Sequence, residues 1–291
     1  MGKIARSWRL TKACFHILSR ERYLIWFPFL AGLSSLLVVG PLIAGVVVYF
    51  VFTRDALNHD DTVGRVTGFA SVFLTYFVSY FLATFFNVGL IACVLNRLEG
   101  KPASFGLGFR AALDGLGAIA GWALLAATVG MILRLIEQRS EWLGKLVARL
   151  LGLAWSLVTF LIAPIIAYEG LGPLAAAKRG ANLFRATWGE QLSFRVGTGI
   201  FFSIVWFVFF FGMTATAIAV PALTGFASKG SLLLIWILGM VVTAVLGSAV
   251  ISLVSSCLTS IYNAVLYSYA VKGTLPEQFD EALVPPRSSS S

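Results

Sequence analysis

Apolar residues run along this chain in long unbroken blocks, separated by short polar segments. A helix needs roughly 20 consecutive apolar residues to cross the hydrocarbon of a bilayer. Blocks near 24–52, 66–95, 116–136, 147–168, 194–223 and 231–269 reach that length and predict six transmembrane helices. None alternates apolar and polar with period two, which excludes a membrane β-barrel. In lipid every backbone polar group must be satisfied internally, and that leaves helices. The last block is too long for a simple crossing, so it is expected to tilt, kink or extend into the cytoplasm. Pro28, Pro41, Pro164 and Pro221 lie inside or at the ends of blocks. Neighbouring helices tolerate proline in membranes.

The polar segments carry a second pattern. In residues 3–20, Ile4, Trp8, Thr11, Phe15 and Leu18 recur at spacings of three and four. Arg6, Arg9, Lys12, His16 and Arg20 fall on the other face. That is the pattern of a helix lying in the interface, apolar side in lipid and basic side toward water. A second such helix follows Gly172 and Pro173, with Leu174, Ala177, Ala181, Phe184 and Trp188 on one face. Lys178, Asn182 and Arg185 lie opposite, next to Arg179. A third candidate, 102–117, places Phe105, Phe109, Ala112 and Leu116 together. The three elbows begin near 3, 102 and 172, and each precedes a membrane helix. This suggests a threefold internal repeat. The competing explanation is that any cytoplasmic loop of this length tends to become amphipathic.

Composition agrees with lipid as the main solvent. Only 12% of the residues are charged, against about a quarter in a soluble domain, and the mean hydropathy is +0.88. The net charge of +9 comes from 22 Lys and Arg. These cluster beside apolar blocks, which points to orientation and to anionic lipid headgroups rather than nucleic acid. With the N-terminus inside, the excess of Lys and Arg falls on the cytoplasmic side, including the C-terminus. Arg54, Arg65, Arg134, Arg139, Lys145, Arg149 and Lys229 fall on the other. The expected localisation is therefore the plasma membrane, multi-pass, with both termini cytoplasmic. Residues 24–52 are too long for a signal-peptide core and read as an uncleaved first span. Residues 1–271 form one integral membrane domain in this reading, and 272–291 a short polar tail whose end lacks any helical stripe.

Few residues offer chemistry. Glu169 closes an apolar block, and an ionisable group at membrane depth is costly and often functional. The competing role is structural, against the N-terminus of the following elbow helix. Ser248, Ser252, Ser255, Ser256, Thr259 and Asn263 recur along the last block, and Thr75, Ser79 and Asn87 along the second. Such stripes pack helices and hydrogen-bond across them, or they line a polar path. Gly117 and Gly121 form a GxxxG packing motif. His59, Asp60 and Asp61 sit in an outer loop, where solvation outweighs metal binding. Cys14, Cys93 and Cys257 lack any metal or redox spacing and read as small apolar side chains. There is no catalytic constellation, and no metal or cofactor is implied.

The segments "RSWRLTKACFHIL", "YEGLGPLAAAKRGANLFRATWGEQL" and "NAVLYSYAVKGTLPEQFDEALV" resemble those of an uncharacterised family of multi-pass integral membrane proteins, the domain of unknown function DUF6159. The resemblance runs from Arg6 to about Val284 and rests chiefly on the Glu-Gly-Leu-Gly-Pro, Thr-Trp-Gly-Glu and Leu-Tyr-x-Tyr-Ala patches. It implies about six membrane helices and no assigned activity or catalytic residues. A looser architectural likeness is to the membrane domains beside glycerophosphodiester phosphodiesterases. Those domains are not catalytic, so the likeness implies no enzyme activity.

The expectation is an all-α membrane protein that is not an enzyme. Its leading role is a scaffold or accessory factor for a membrane or lipid-linked process. Its partners are lipid headgroups, a membrane protein or a second copy of itself. The alternative is a small-solute transporter or channel that uses Glu169 and the polar stripe of the last span.

Overall fold

A computed structural model describes residues 3–52, 62–139, 143–225 and 230–272, and their regular structure is helical throughout. The helices are α1 (Lys3–Arg20), α2 (Trp26–Phe52), α3 (Thr62–Leu98), α4 (Phe105–Asp114), α5 (Leu116–Arg139), α6 (Leu143–Thr159), α7 (Ile162–Glu169), α8 (Pro173–Thr224) and α9 (Gly230–Lys272). A short 3-10 turn, Arg22–Ile25, joins α1 to α2. Residues 53–61, with His59, Asp60 and Asp61, and the tail from 273 lie outside the described residues.

Local chemistry sets the helix ends. Gly100 takes a left-handed φ of 72° after α3. Its N–H reaches the Arg97 carbonyl, and the Lys101 N–H reaches that of Asn96. Together these close the C-terminus of α3 on its own carbonyls. Ser104 then caps α4, its hydroxyl accepting from the Leu107 N–H at 3.3 Å. Pro173 opens α8 at the position where a missing N–H costs nothing.

Five helices are long and apolar enough to cross a membrane: Arg22–Tyr49, Val66–Leu98, Leu116–Glu137, Gly199–Thr224 and Gly230–Val271. The block expected to form a single span over 147–168 is instead divided. α6 ends at Thr159, Phe160 and Leu161 form a turn, and α7 starts at Ile162. Pro164 explains the break. It has no N–H for the Phe160 carbonyl four residues earlier, and its ring crowds that carbonyl.

The chain divides into two compact units. Among the described residues, one lies within 21–188 and 260–272, the other within 3–20 and 189–259. The boundaries fall inside α8 and α9. In the first unit α3 packs against α2, α4, α5 and α7. The tightest place is Gly108 on α4. A Cβ there would collide with the Gly89 carbonyl and Cys93 Sγ of α3 and with the Phe27 ring of α2. Two glycines thus let two backbones touch. Phe27 and Phe105 (ring centroids 4.8 Å apart) and Phe85 and Phe109 (5.4 Å) close around the contact. The Cys93 thiol donates to the Ser104 carbonyl at 3.2 Å. On α5, a Cβ added at Gly121 would lie 3.0 Å from the Pro173 ring, whereas one at Gly117 would meet open space. Half of the GxxxG motif therefore packs. In the second unit Gly247 of α9 receives the Phe209 ring of α8. Cys14, Ile17 and Leu18 of α1 are buried, while Phe15, expected beside Leu18 on one apolar face, is 53% exposed.

Candidate functional site

Glu169, the last residue of α7, is bonded by side chains of two other helices. Gly170 follows in the left-handed conformation, φ 62°, and its N–H closes α7 on the Ile166 carbonyl. The chain reverses through Gly172 into α8, which brings Arg179 back beside Glu169. The Arg179 Nε donates to both carboxylate oxygens, at 3.1 and 3.2 Å. From the C-terminal part of α9, the Tyr267 hydroxyl donates to Oε1 at 2.6 Å. The Tyr168 and Tyr267 rings meet edge to face, centroids 5.8 Å apart.

This arrangement ties α7, α8 and α9 through one carboxylate. Glu169 stands at a helix C-terminus, where the backbone dipole disfavours negative charge. The Arg179 guanidinium supplies the compensation, in place of the N–H groups at the start of α8. With both oxygens engaged by donors, the carboxylate is arranged to hold helices together.

The polar stripe of α9 divides into two environments. Ser252 and Ser256 are exposed, Ser248, Ser255 and Thr259 are half-buried, and Asn263 is buried. The Thr259 hydroxyl donates back to the Ser255 carbonyl at 2.9 Å. Asn263 Nδ2 donates to the Phe160 carbonyl at 3.2 Å. That is the very carbonyl Pro164 leaves without its helical donor, so a side chain 103 positions later completes the break between α6 and α7. Asn263 Oδ1 is buried with no hydrogen-bond partner among the described residues.

One turn earlier on α9, the Ser260 hydroxyl donates to Asn87 Oδ1 on α3 at 2.8 Å. On α3, Thr75 and Ser79 bond the carbonyls of Ser71 and Thr75, so those two hydroxyls are satisfied within the helix and only Asn87 of that stripe reaches another helix among the described residues.

The basic residues are dispersed. Arg6 and Arg9 lie on α1, but their side chains are outside the described residues. Lys12, Lys178 and Arg185 are exposed, whereas Arg179 is engaged by Glu169. Arg97 at the end of α3 pairs with Glu21 at 2.8 Å, and Lys101 with Glu99 at 2.6 Å. The Glu99 carboxylate holds the Lys101 ammonium above its ordinary pKa, first through the hydrogen bond and then through charge. Burial pushes the Cys14 thiol up to about 12, so at neutral pH it is an inert apolar group. Among the described residues no three His, Cys, Asp or Glu side chains are gathered to hold a metal.

Tyr267, Ser260 and Asn87 complete bonds that spacing does not reveal. Tyr267 lies in the Leu-Tyr-x-Tyr-Ala patch, which was its only signal. A cleft of about 470 Å³ in the second unit is lined by α1, α8 and α9, among others by Lys12, Phe15, Phe202, Val250, Val254 and Leu258.

No curated protein and no solved structure matches this chain. The model of DUF6159, a family of unknown function, matches residues 66–276, from α3 past the end of α9 and across the Glu169 junction. With five apolar helices of membrane-crossing length and that match over most of its length, the chain belongs to the DUF6159 family and is a multi-pass membrane protein.

Proposed function

We propose that this protein is a non-enzymatic scaffold or accessory factor for a membrane or lipid-linked process, placed in the plasma membrane with both termini cytoplasmic. The observation that carries the proposal is the use of the polar groups. Glu169 and Asn263, two of the groups a solute path would use, each bond a group outside their own helix, and Ser260 beside them bonds Asn87 of α3. Groups occupied in this way fix helix positions, which is what a platform for a partner requires.

The basic flanks of α1, α4 and α8 support a membrane-surface role. Lys12, Lys178 and Arg185 are exposed cations suited to an anionic leaflet. In this reading the three helices are the interfacial elbows of a repeated unit. Same-side termini further require α6 and α7 to complete a crossing together, as the sixth span.

Extraction from the native membrane into nanodiscs, followed by native mass spectrometry, tests the proposal. A stoichiometric protein or lipid-linked species retained on the chain is the expected result. A chain that carries a small solute and no partner sinks it.

One observation favours the transporter as a second reading. Asn263 Oδ1 is buried beside a broken helix with no partner among the described residues, and transporters place sites at discontinuous helices. On that reading, replacing Ser252, Ser256 and Asn263 by Ala abolishes solute flux in proteoliposomes while the fold persists.

A further inference from the structure

We infer that the cleft between α1, α8 and α9 is a binding site for one anionic phospholipid, with an acyl chain in the cleft and the phosphate at Lys12. The cleft holds about 470 Å³, within the usual range for a small-molecule site. Its walls are almost wholly apolar. Phe202 and Val205 come from the first turns of the apolar segment of α8, and Val250, Ile251 and Val254 from α9. Lys12 and Thr11 of α1 are its polar lining residues.

That distribution decides the occupant. Phe202 lies four residues from the start of the apolar segment of α8, so this end of the cleft is at the membrane boundary. Val250 and Val254 belong to the apolar segment of α9 and extend the wall toward the hydrocarbon. A ligand that matches has a long apolar body and one negative charge at its water-facing end. Lys12 is exposed and has no ion-pair partner among the described residues, so its charge is available to that group. The sequence of α1 carries four other Lys and Arg, at 3, 6, 9 and 20, and a helix of that basic composition favours anionic headgroups over zwitterionic ones.

The inference rests on the membrane-surface reading of α1 but not on the scaffold role. The test therefore uses the purified full chain without partners. The chain is placed in nanodiscs of equal parts phosphatidylglycerol and phosphatidylcholine and released for native mass spectrometry. The expected result is one retained phosphatidylglycerol. Val254→Trp, which fills the cleft, removes it, and Ile251→Trp does the same from the adjacent turn. Lys12→Gln still holds a lipid but lowers the phosphatidylglycerol preference by about fivefold. Thermal unfolding in detergent checks that each variant folds, and exposed Lys12 carries little folding risk.

Equal retention of both lipids, no retained lipid, or retention unchanged by a folded Val254→Trp overturns the proposal. So does a dimer of the chain that Val254→Trp dissociates, which assigns the cleft to a second copy. A phosphatidylglycerol retained in these nanodiscs, with neither a protein nor a lipid-linked species retained in native extracts, sinks the scaffold alone.

Discussion

The two ends of α9 have similar helical propensity and opposite surroundings. Leu234, Ile235 and Leu238 are 69, 68 and 65% exposed, whereas every residue from Ser260 to Ala270 is buried. In water the first set would be a defect. In a bilayer those side chains meet chains as apolar as themselves. The second set is enriched in hydrogen-bonding groups, with Ser260, Tyr262, Asn263, Tyr267 and Ser268 inside the protein. One helix is thus lipid-facing along its first half and a polar-studded core element along its last turns. The polar residues that hold this protein together sit where protein has replaced lipid, and the hydropathy of α9 falls over the same turns.

Changes at the crowded places of the first unit should sharpen the contrast most. Gly108→Ala sets a methyl against the Gly89 carbonyl, which is backbone and cannot rotate away. A loss of about 3 kcal/mol is expected, read from unfolding in mixed micelles. Gly117→Ala, with open space around it, should change stability by only a few tenths of a kcal/mol. Equal effects at the two glycines would break the picture of α3 and α4 as a backbone-contact pair.

Glu169 comes next. Glu169→Ala leaves the Tyr267 hydroxyl and Arg179 without their acceptor. The Arg179 side chain is 40% exposed and water recovers part of the loss, so about 2 kcal/mol is expected. Tyr267→Phe removes only one charge-assisted bond and should cost about 1 kcal/mol. If Tyr267→Phe is silent while Glu169→Ala is severe, the tie between α7 and α9 is not what stabilises the junction.

Five of the expected spans were legible because a run of apolar residues and a helix in lipid have the same length scale. The break at Gly172 and Pro173 before α8 was legible from turn chemistry. The division of 147–168 was not, although Pro164 was visible. Whether a proline kinks a membrane helix or ends it depends on who satisfies the freed carbonyl, and here Asn263 does so from another helix. The stripe on α9 was visible as spacing. Its split into exposed Ser252 and Ser256 and buried Asn263 depends on neighbours that spacing does not encode. Glu169 stood out as a charge in an apolar context, whereas its partners Arg179 and Tyr267 come from 10 and 98 positions away.

The bond between Asn263 and Phe160 allows a finer test, because proline causes the need that asparagine meets. Asn263→Ala removes the Nδ2 donor from the Phe160 carbonyl and should cost about 1–2 kcal/mol. Pro164→Ala restores an N–H four residues after Phe160. In that background the cost of Asn263→Ala should shrink by about 1 kcal/mol, and a double-mutant cycle reads the coupling directly. Additive effects would mean that Asn263 acts through its packing, and that the break at Phe160 has another cause.

The smallest effect belongs to the lipid-facing half of α9. Ser252 and Ser256 are exposed, and Leu at either position adds apolar surface where the surroundings are already apolar. Ser252→Leu and Ser256→Leu should each shift stability by less than about 0.5 kcal/mol, in contrast to Asn263 seven residues further along the same helix. The comparison also bears on function. A path-lining serine exchanged for Leu blocks flux at unchanged stability, whereas a lipid-facing serine leaves both unchanged. Stability and flux measured on the same proteoliposomes therefore separate the two readings. A stable Ser252→Leu protein that has lost a flux present in the parent would convert the exposed half of α9 from a lipid-facing surface into the wall of a path. The helix or second copy that completes that path would then have to cover Ser252 and Ser256.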